Sequence, residues 1–405
     1  MNLSVKSRFT TGRRVHGVKN MPNRSESLHP CSMHDFPGDI FFRHACARAS
    51  FPALAVVCLT LACALFAAAP RADSQETSGQ ALARLEKLSA ENRQKVLVER
   101  ARSEKEVTFY SSLQTSDSEP YVKAFTKRYP FLKVNIYRIS GQKQVLMIQT
   151  ELNAGRNAFD VTNASAAQAY GIKKTGALDP YPSPQRQFFA AAHKDKEGYF
   201  TPTYINPVVL GYNTHMVKRN EAPRRYEDLL EAKWKSNMIL DVEEFPWFAV
   251  LLKHYGREKG LDYMRRLARQ DILMGRGRTT QAQLISAGER AIGIALNSSS
   301  VIDIKTRGAP LDWTIVDPYY AKPNMLMLAR HAPHPHAAAL LIDWTLSEEG
   351  QSLLATLGYV VARKGVKQTI PALLEKESFL ADPDFIGPIL EETGKDFRSV
   401  FTSGR

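Results

Sequence analysis

The run Gly275, Arg276, Gly277, Arg278, Thr279, Thr280 brings two guanidinium groups and a capping hydroxyl to the start of a helical stretch predicted over residues 281–287. A guanidinium offers a planar fork that matches carboxylate or phosphate oxygens, and a helix start adds partial positive charge. The chemistry that this spacing suits is anion binding. Arg138, at the end of a predicted strand, can add a third cation. The competing interpretation is a set of solvated loop charges, a common setting for Arg. The two glycines are not a dinucleotide fingerprint, because the third glycine and the strand-to-helix context are missing.

Other clusters are weaker. His331, His334 and His336 are interrupted by Pro333 and Pro335 ahead of an apolar run, which predicts a helix start with exposed imidazoles. No Cys or carboxylate completes a zinc set at normal spacing. Trp247 and Phe248 can wall a cleft, but their spacing with Leu251 and Leu252 suits a core. G-x-S-x-G, H-E-x-x-H and P-loop patterns are absent, so a binding module without cofactor is expected in preference to an enzyme.

Charge and cysteine content narrow the class. The formal net charge is +13, but residues 1–72 hold nine Lys/Arg against three Asp/Glu, and the remaining excess is scattered. No basic run tracks a phosphate backbone, so nucleic acid is not an expected partner. All four cysteines, at 31, 46, 58 and 63, precede residue 64, so the body has no disulfide, thiolate site or cysteine nucleophile.

The elements that must position these residues alternate. Strands are predicted over 107–110, 134–138 and 159–162, with helices near 121–128, 142–153 and 166–175. Such alternation argues for a mainly parallel sheet with helices on both faces. Ligands then sit at the loops leaving the carboxyl ends of strands. Those loops carry Ser111 and Ser112, Ser140 to Gln142, and Asn163 to Ser165. Each suits helix capping equally well, but a helix start facing a cleft also offers N–H groups to a ligand.

Residues 51–69 form an apolar run preceded by Arg43 and Arg48, the order of a secretory signal. The 50 residues before it exceed a usual n-region, so translation is expected to begin later, for instance at Met33. Residues 1–72 are therefore a presequence and the mature chain is periplasmic; an uncleaved anchor and lipidation at Cys63 are the less favoured alternatives. Residues 73–80 are expected as a polar linker, followed by an amphipathic helix over 81–101, the linker and helix together filling 73–103.

The segments FDVTNASAAQAYGIKKTGALDPYPSP, YFTPTYINPVVLGYNTHMVKRNEAPRRYEDLLEAKWKSNMILD, SAGERAIGIAL and APHPHAAALLIDWTLSEEGQ resemble the periplasmic solute-binding proteins of ABC importers, specifically the ferric-iron-type branch. The resemblance covers about residues 95–365. It implies an α/β, two-lobed type II periplasmic-binding-protein fold, each lobe a mainly parallel sheet flanked by helices, with two cross-over segments. Lobe 1 is expected over 104–203 plus 310–365 and lobe 2 over 204–309 plus 366–405, with Tyr204 to Pro207 at the first crossing. Ferric members are similar in using a first-loop His, a third-loop Glu and a Tyr pair after the strand that here reads IGIAL. This chain has Gln114, Ser165 and Asn297 to Ser300 at those places, so no ionisable iron ligand carries over. Tyr319 and Tyr320 are expected to pack at the hinge.

The leading expectation is a monomeric receptor that captures a small anion in the interlobe cleft and delivers it to an inner-membrane ABC permease. The alternatives are a ferric or iron-chelate receptor, and an exported enzyme or ligand sensor on the same fold. The expected ligand-binding residues are Ser111, Ser112, Arg138, Gly141, Asn163, Ser165, Tyr204, Asn206, Arg276, Arg278, Asn297 and Ser299, with no catalytic or metal residue.

Overall fold

Thr77 and Gln80 open the part of the chain that the computed structural model describes, residues 76–402, with a reciprocal capping box. Gln80 N donates to Thr77 Oγ1 and Thr77 N donates to Gln80 Oε1, which starts helix α1 (Ser78–Ala83). The expected linker therefore ends as a helix, and the single helix predicted over 81–101 is two, α1 and α2 (Ala90–Glu104), separated by a turn. The apolar segment at 51–69, Met33 and Cys63 lie outside the described residues.

Lobe 1 then follows the predicted alternation: β1 (Glu106–Ser111), α3 (Thr115–Arg128), β2 (Lys133–Arg138), α4 (Gln142–Asn153), β3 (Val161–Ser165), α5 (Ala166–Lys174) and β4 (Leu178–Asp179). β1 pairs in parallel with β2 and β3. Two boundaries differ from expectation. Helix α3 starts six residues early, with Pro120 inside it, because the polar residues 115–118 form its first turn. Ser111 and the trio Asn163 to Ser165 are strand, so the loops expected there are shorter.

β5 (Thr201–Asn213) is buried along its whole length and carries the chain between lobes. Lobe 2 follows with β6 (Met238–Asp241), α6 (Phe245–Tyr255), α7 (Arg257–Ala268), β7 (Leu273–Gly275), α8 (Arg278–Ser286), β8 (Ile292–Asn297), α9 (Ser298–Thr306) and β9 (Leu311–Thr314). Strand β10 (Tyr320–Ala329) returns, followed by α10 (Pro335–Leu346), α11 (Glu348–Thr356), β11 (Phe379–Leu380) and α12 (Pro383–Phe401). The first half of β5 pairs with β10 and the second half with β8 and β9, so one strand belongs to both sheets. The return begins at β10 and not at residue 310, since β9 pairs with the far half of β5.

Each lobe has its own core. Leu97, Phe109, Tyr121, Phe125, Leu341 and Trp344 fill the first, and Met238, Trp247, Phe248, Phe397 and Phe401 the second. Helix α12 touches both lobes: Ile386 packs with Ala166 and Ala167 on one side and Ala249 on the other. Buried Asp343 fixes α2 to α10 through a 2.9 Å ion pair with Arg93.

Candidate functional site

The strand ends of both lobes face a cavity of about 440 Å³ between them. Its size lies in the range of small-molecule sites. Of the residues singled out from sequence, Ser112, Arg138, Gly141, Ser165 and Tyr204 line it from lobe 1 and the crossing, and Asn206, Arg276, Arg278, Asn297 and Ser299 from the crossing and lobe 2. Ser111 and Asn163 do not reach the cavity. Both are fully buried, and they act from behind: Ser111 Oγ accepts from Leu113 N at 3.1 Å and Asn163 Oδ1 from Ser112 N at 2.8 Å.

Apart from Arg138 and Lys143, the lobe 1 wall is neutral and hydrogen-bonding. Ser112 Oγ lies 3.1 Å from the Tyr204 hydroxyl and 2.9 Å from Asn324 Oδ1. Tyr204 stacks near Tyr359, with ring centroids 4.2 Å apart, and Tyr359 donates to buried Asp117 at 2.6 Å. Burial raises the Tyr204 and Tyr359 phenols above their ordinary range, so both stay protonated. Gln114 Nε2 reaches Ser299 O at 3.3 Å, and Ser299 Oγ donates to Asn206 Oδ1 at 2.8 Å, tying lobe 2 to the crossing strand.

The lobe 2 wall is charged, and both of its arginines have carboxylate partners. Arg276 Nη1 lies 2.8 Å from Glu243 Oε1, and Arg278 makes bonds of 2.8 and 2.5 Å to Glu244 Oε2. Both guanidinium groups are ion-paired because the loop after β6 supplies two consecutive carboxylates. Glu244 has no exposed surface; it also accepts from Lys322 Nζ at 3.0 and 3.1 Å and from the Tyr320 hydroxyl at 2.9 Å. Burial pushes the Glu244 carboxyl up, but the Arg278 and Lys322 charges outweigh it and hold the group below its usual range. Burial, with the Arg278 charge, brings the Lys322 ammonium down to about 8.

Five cations, Arg138, Lys143, Arg276, Arg278 and Lys322, thus line the cavity against Asp241 and Glu243, with Glu244 behind them. Arg138 Nε donates to Leu113 O at 3.1 Å, and its Nη groups have no hydrogen-bond partner among the described residues. Sequence reasoning passed over Lys322, Asn324 and Tyr359. Lys322 left a signal, the one charged residue within the mainly apolar strand Tyr320–Ala329, since Lys is seldom buried unpaired.

Helix starts complete the site. α3, α4, α5, α6, α8 and α9 all begin at the cavity, and none has a side-chain hydrogen bond capping its first turn. Away from it, α1, α2, α11 and α12 are capped by Thr77, Ser89, Ser347 and Asp382, and Glu104 accepts from the first turn of α10. Only α7 departs from this division among the described helices. Uncapped N–H groups with the helix dipole behind them can hydrogen-bond an anion.

The remaining candidates fall elsewhere. Trp247 and Phe248 are core, while Phe245 and Pro246 reach the cavity. Tyr319 and Tyr320 are buried outside it, and Tyr319 donates to Leu373 O at 2.8 Å. The imidazoles of His334 and His336 are paired with Asp160 and Glu104 at 3.0 and 2.7 Å, less exposed than expected. Among the described residues no group of three or more His, Cys, Asp or Glu is placed to hold a metal ion.

A sequence profile of the bacterial extracellular solute-binding protein family matches residues 164–379, just over half of the chain. An uncharacterized protein of Haemophilus influenzae is 23% identical over 259 residues, covering 60% of this chain and 73% of the relative. Solved structures share the fold. Actinobacillus pleuropneumoniae AfuA with fructose 6-phosphate bound is 20% identical, covers 74% of this chain and 99% of its own, and superposes with a TM-score of 0.64. Iron-bound Pseudomonas aeruginosa HitA is 18% identical, covering 73% and 99%, with a TM-score of 0.64. Trichodesmium FutA in complex with iron and citrate is 19% identical, covering 73% and 99%, with a TM-score of 0.60. With its two lobes, a strand shared between their sheets and an interlobe cavity, the chain belongs to the bacterial extracellular solute-binding proteins and has the type II periplasmic fold.

Proposed function

We propose that this protein captures a small organic anion, a phosphate ester or carboxylate, in the periplasm and passes it to an inner-membrane ABC permease. The observation that carries the reading is the meeting of six uncapped helix starts and five cations in one cavity. The neutral wall of Ser112, Tyr204, Asn324 and Asn206 suits the hydroxyl or carbonyl groups of the rest of such a ligand. At the places where the ferric branch carries ligands, Gln114, Ser165 and Asn297 put amides and a hydroxyl into the cavity. The fructose 6-phosphate held by AfuA shows that this fold accommodates a ligand of that chemistry.

Binding works by closure. A ligand draws the lobes together only as far as it prefers the closed form, and an anion bridging Arg138 on lobe 1 to the α8 and α9 starts on lobe 2 provides that preference. The apolar segment at 51–69 and the family support export. Native mass spectrometry of protein isolated from the periplasm tests the reading: an adduct that fragments to a phosphate or carboxylate species supports it, and a ferric adduct with no organic anion rejects it.

A further inference from the structure

Glu243 belongs to lobe 2, yet its carboxylate reaches lobe 1. Glu243 Oε2 lies so near Gly141, the residue before helix α4, that a Cβ there would stand 2.9 Å from it. Gly141 has a φ of 69° and no side chain, so it leaves the carboxylate access to the uncapped start of α4. The other oxygen, Oε1, pairs with Arg276 Nη1 at 2.8 Å. Asp241 sets this geometry from the floor of the cleft: its Oδ1 accepts from Glu243 N at 2.8 Å and its Oδ2 from Gly277 N at 2.9 Å. One carboxylate therefore sits between a guanidinium of lobe 2 and a helix start of lobe 1.

We infer that Glu243 is a resident counter-ion of the cleft, holding the lobes together in the position that the anionic group of the solute takes, so that the solute must displace it to bind. The inference rests on the anionic-solute reading and adds a selectivity device to it. A ligand enters only if it outcompetes a carboxylate for Arg276 and the start of α4, which favours a phosphate ester over a simple monocarboxylate. Neutral ligands offer nothing in exchange for the contact they break.

The test is Glu243→Gln in the full chain with its four cysteines replaced by serine and single labels placed at Leu146→Cys on lobe 1 and Arg266→Cys on lobe 2, both exposed positions. Interlobe distances are measured by double electron–electron resonance without ligand, and fructose 6-phosphate is titrated calorimetrically. The expected result is a shift to longer interlobe distances together with binding about fivefold tighter, the scale of one partly exposed ion pair removed from competition. Unchanged distances overturn the inference even if affinity rises, because Glu243 would then act only as a nearby charge. Longer distances with weaker binding also overturn it. Longer distances with no binding of fructose 6-phosphate, phosphate or citrate to either protein support the cross-cleft contact and reject the anionic-solute reading instead.

Discussion

At Glu244 a carboxylate without exposed surface is shared by Arg278, Lys322 and Tyr320, whereas Arg276, with 64% of its side chain exposed, pairs with Glu243 at the rim. The two arginines therefore differ in what their loss does. Arg278→Ala is expected to lower stability by about 3 kcal/mol in urea unfolding, the cost of leaving a buried carboxylate underpaired while Lys322 retains part of its compensation. Arg276→Ala is expected to change stability by no more than about 1 kcal/mol while weakening anion binding, since exposed pairs contribute little to folding. Equal destabilisation by the two would contradict this division. Lys322 is expected to give the cleft a pH dependence. Its folded value of about 8 lies below the ordinary 10.5, with Glu244, Arg278, Asp241 and Tyr320 around it. The ammonium is charged below about 8, so anion affinity measured by calorimetry is expected to be full at pH 6–7 and to fall as the pH passes 8. Between 8 and 10.5 the unfolded chain holds a proton that the folded one has lost, so this group adds stability as pH rises through that window. The arginines were visible in the sequence because Gly-Arg-Gly-Arg stands before a helix. Their partners were not, because the pairing of Asp241 to Glu244 with Arg276 and Arg278 depends on β6 and β7 lying side by side.

The helix starts raise a question that sequence leaves open. Ser165, Gly277 and Asn297 are residue types that cap helices, and whether a side chain turns back to its helix or faces a ligand is decided by rotamer and surroundings. Here Ser165 Oγ donates to the Gln168 side chain of its own helix but caps no backbone N–H, Gly277 has no side chain to turn, and Asn297 Oδ1 is buried without a partner. Asn297→Asp separates the two roles. A carboxylate at that N-cap is expected to stabilise α9 and raise the unfolding free energy by about 0.5–1 kcal/mol, since charge at a helix start is favourable. It is also expected to weaken fructose 6-phosphate binding at least about tenfold by placing an anion at the proposed anion site. A variant that gains stability and keeps its affinity would show that the helix starts serve only the fold. The alternating strands and helices of lobe 1 were legible because apolar runs there are separated by polar loops. The early start of α3 was not, because Pro120 and the polar residues 115–118 look like a loop although they form helix.

The two sheets are joined by β5, with β10 paired along its first half, both strands buried throughout and α12 packed against each lobe. On the proposed function, closure is a movement of the lobes about this shared strand with the cavity between them. The two-lobed fold was legible from the resemblance of several segments taken together. Which strand halves pair was not, since β9 and α12 are placed by contacts with residues about 100 or more positions away. A solute that binds only the folded chain is expected to raise its apparent stability by about 2.7 kcal/mol at a concentration 100 times its dissociation constant, measurable as a rise in melting temperature. If charge on the solute drives its capture, a calorimetric comparison of fructose 6-phosphate with fructose separates the charge from the sugar. The phosphate ester is expected to bind with an affinity that weakens with salt and with Arg138→Ala, and fructose to show no detectable binding; equal binding of the two, or binding of ferric ion alone with neither sugar, would overturn capture by charge.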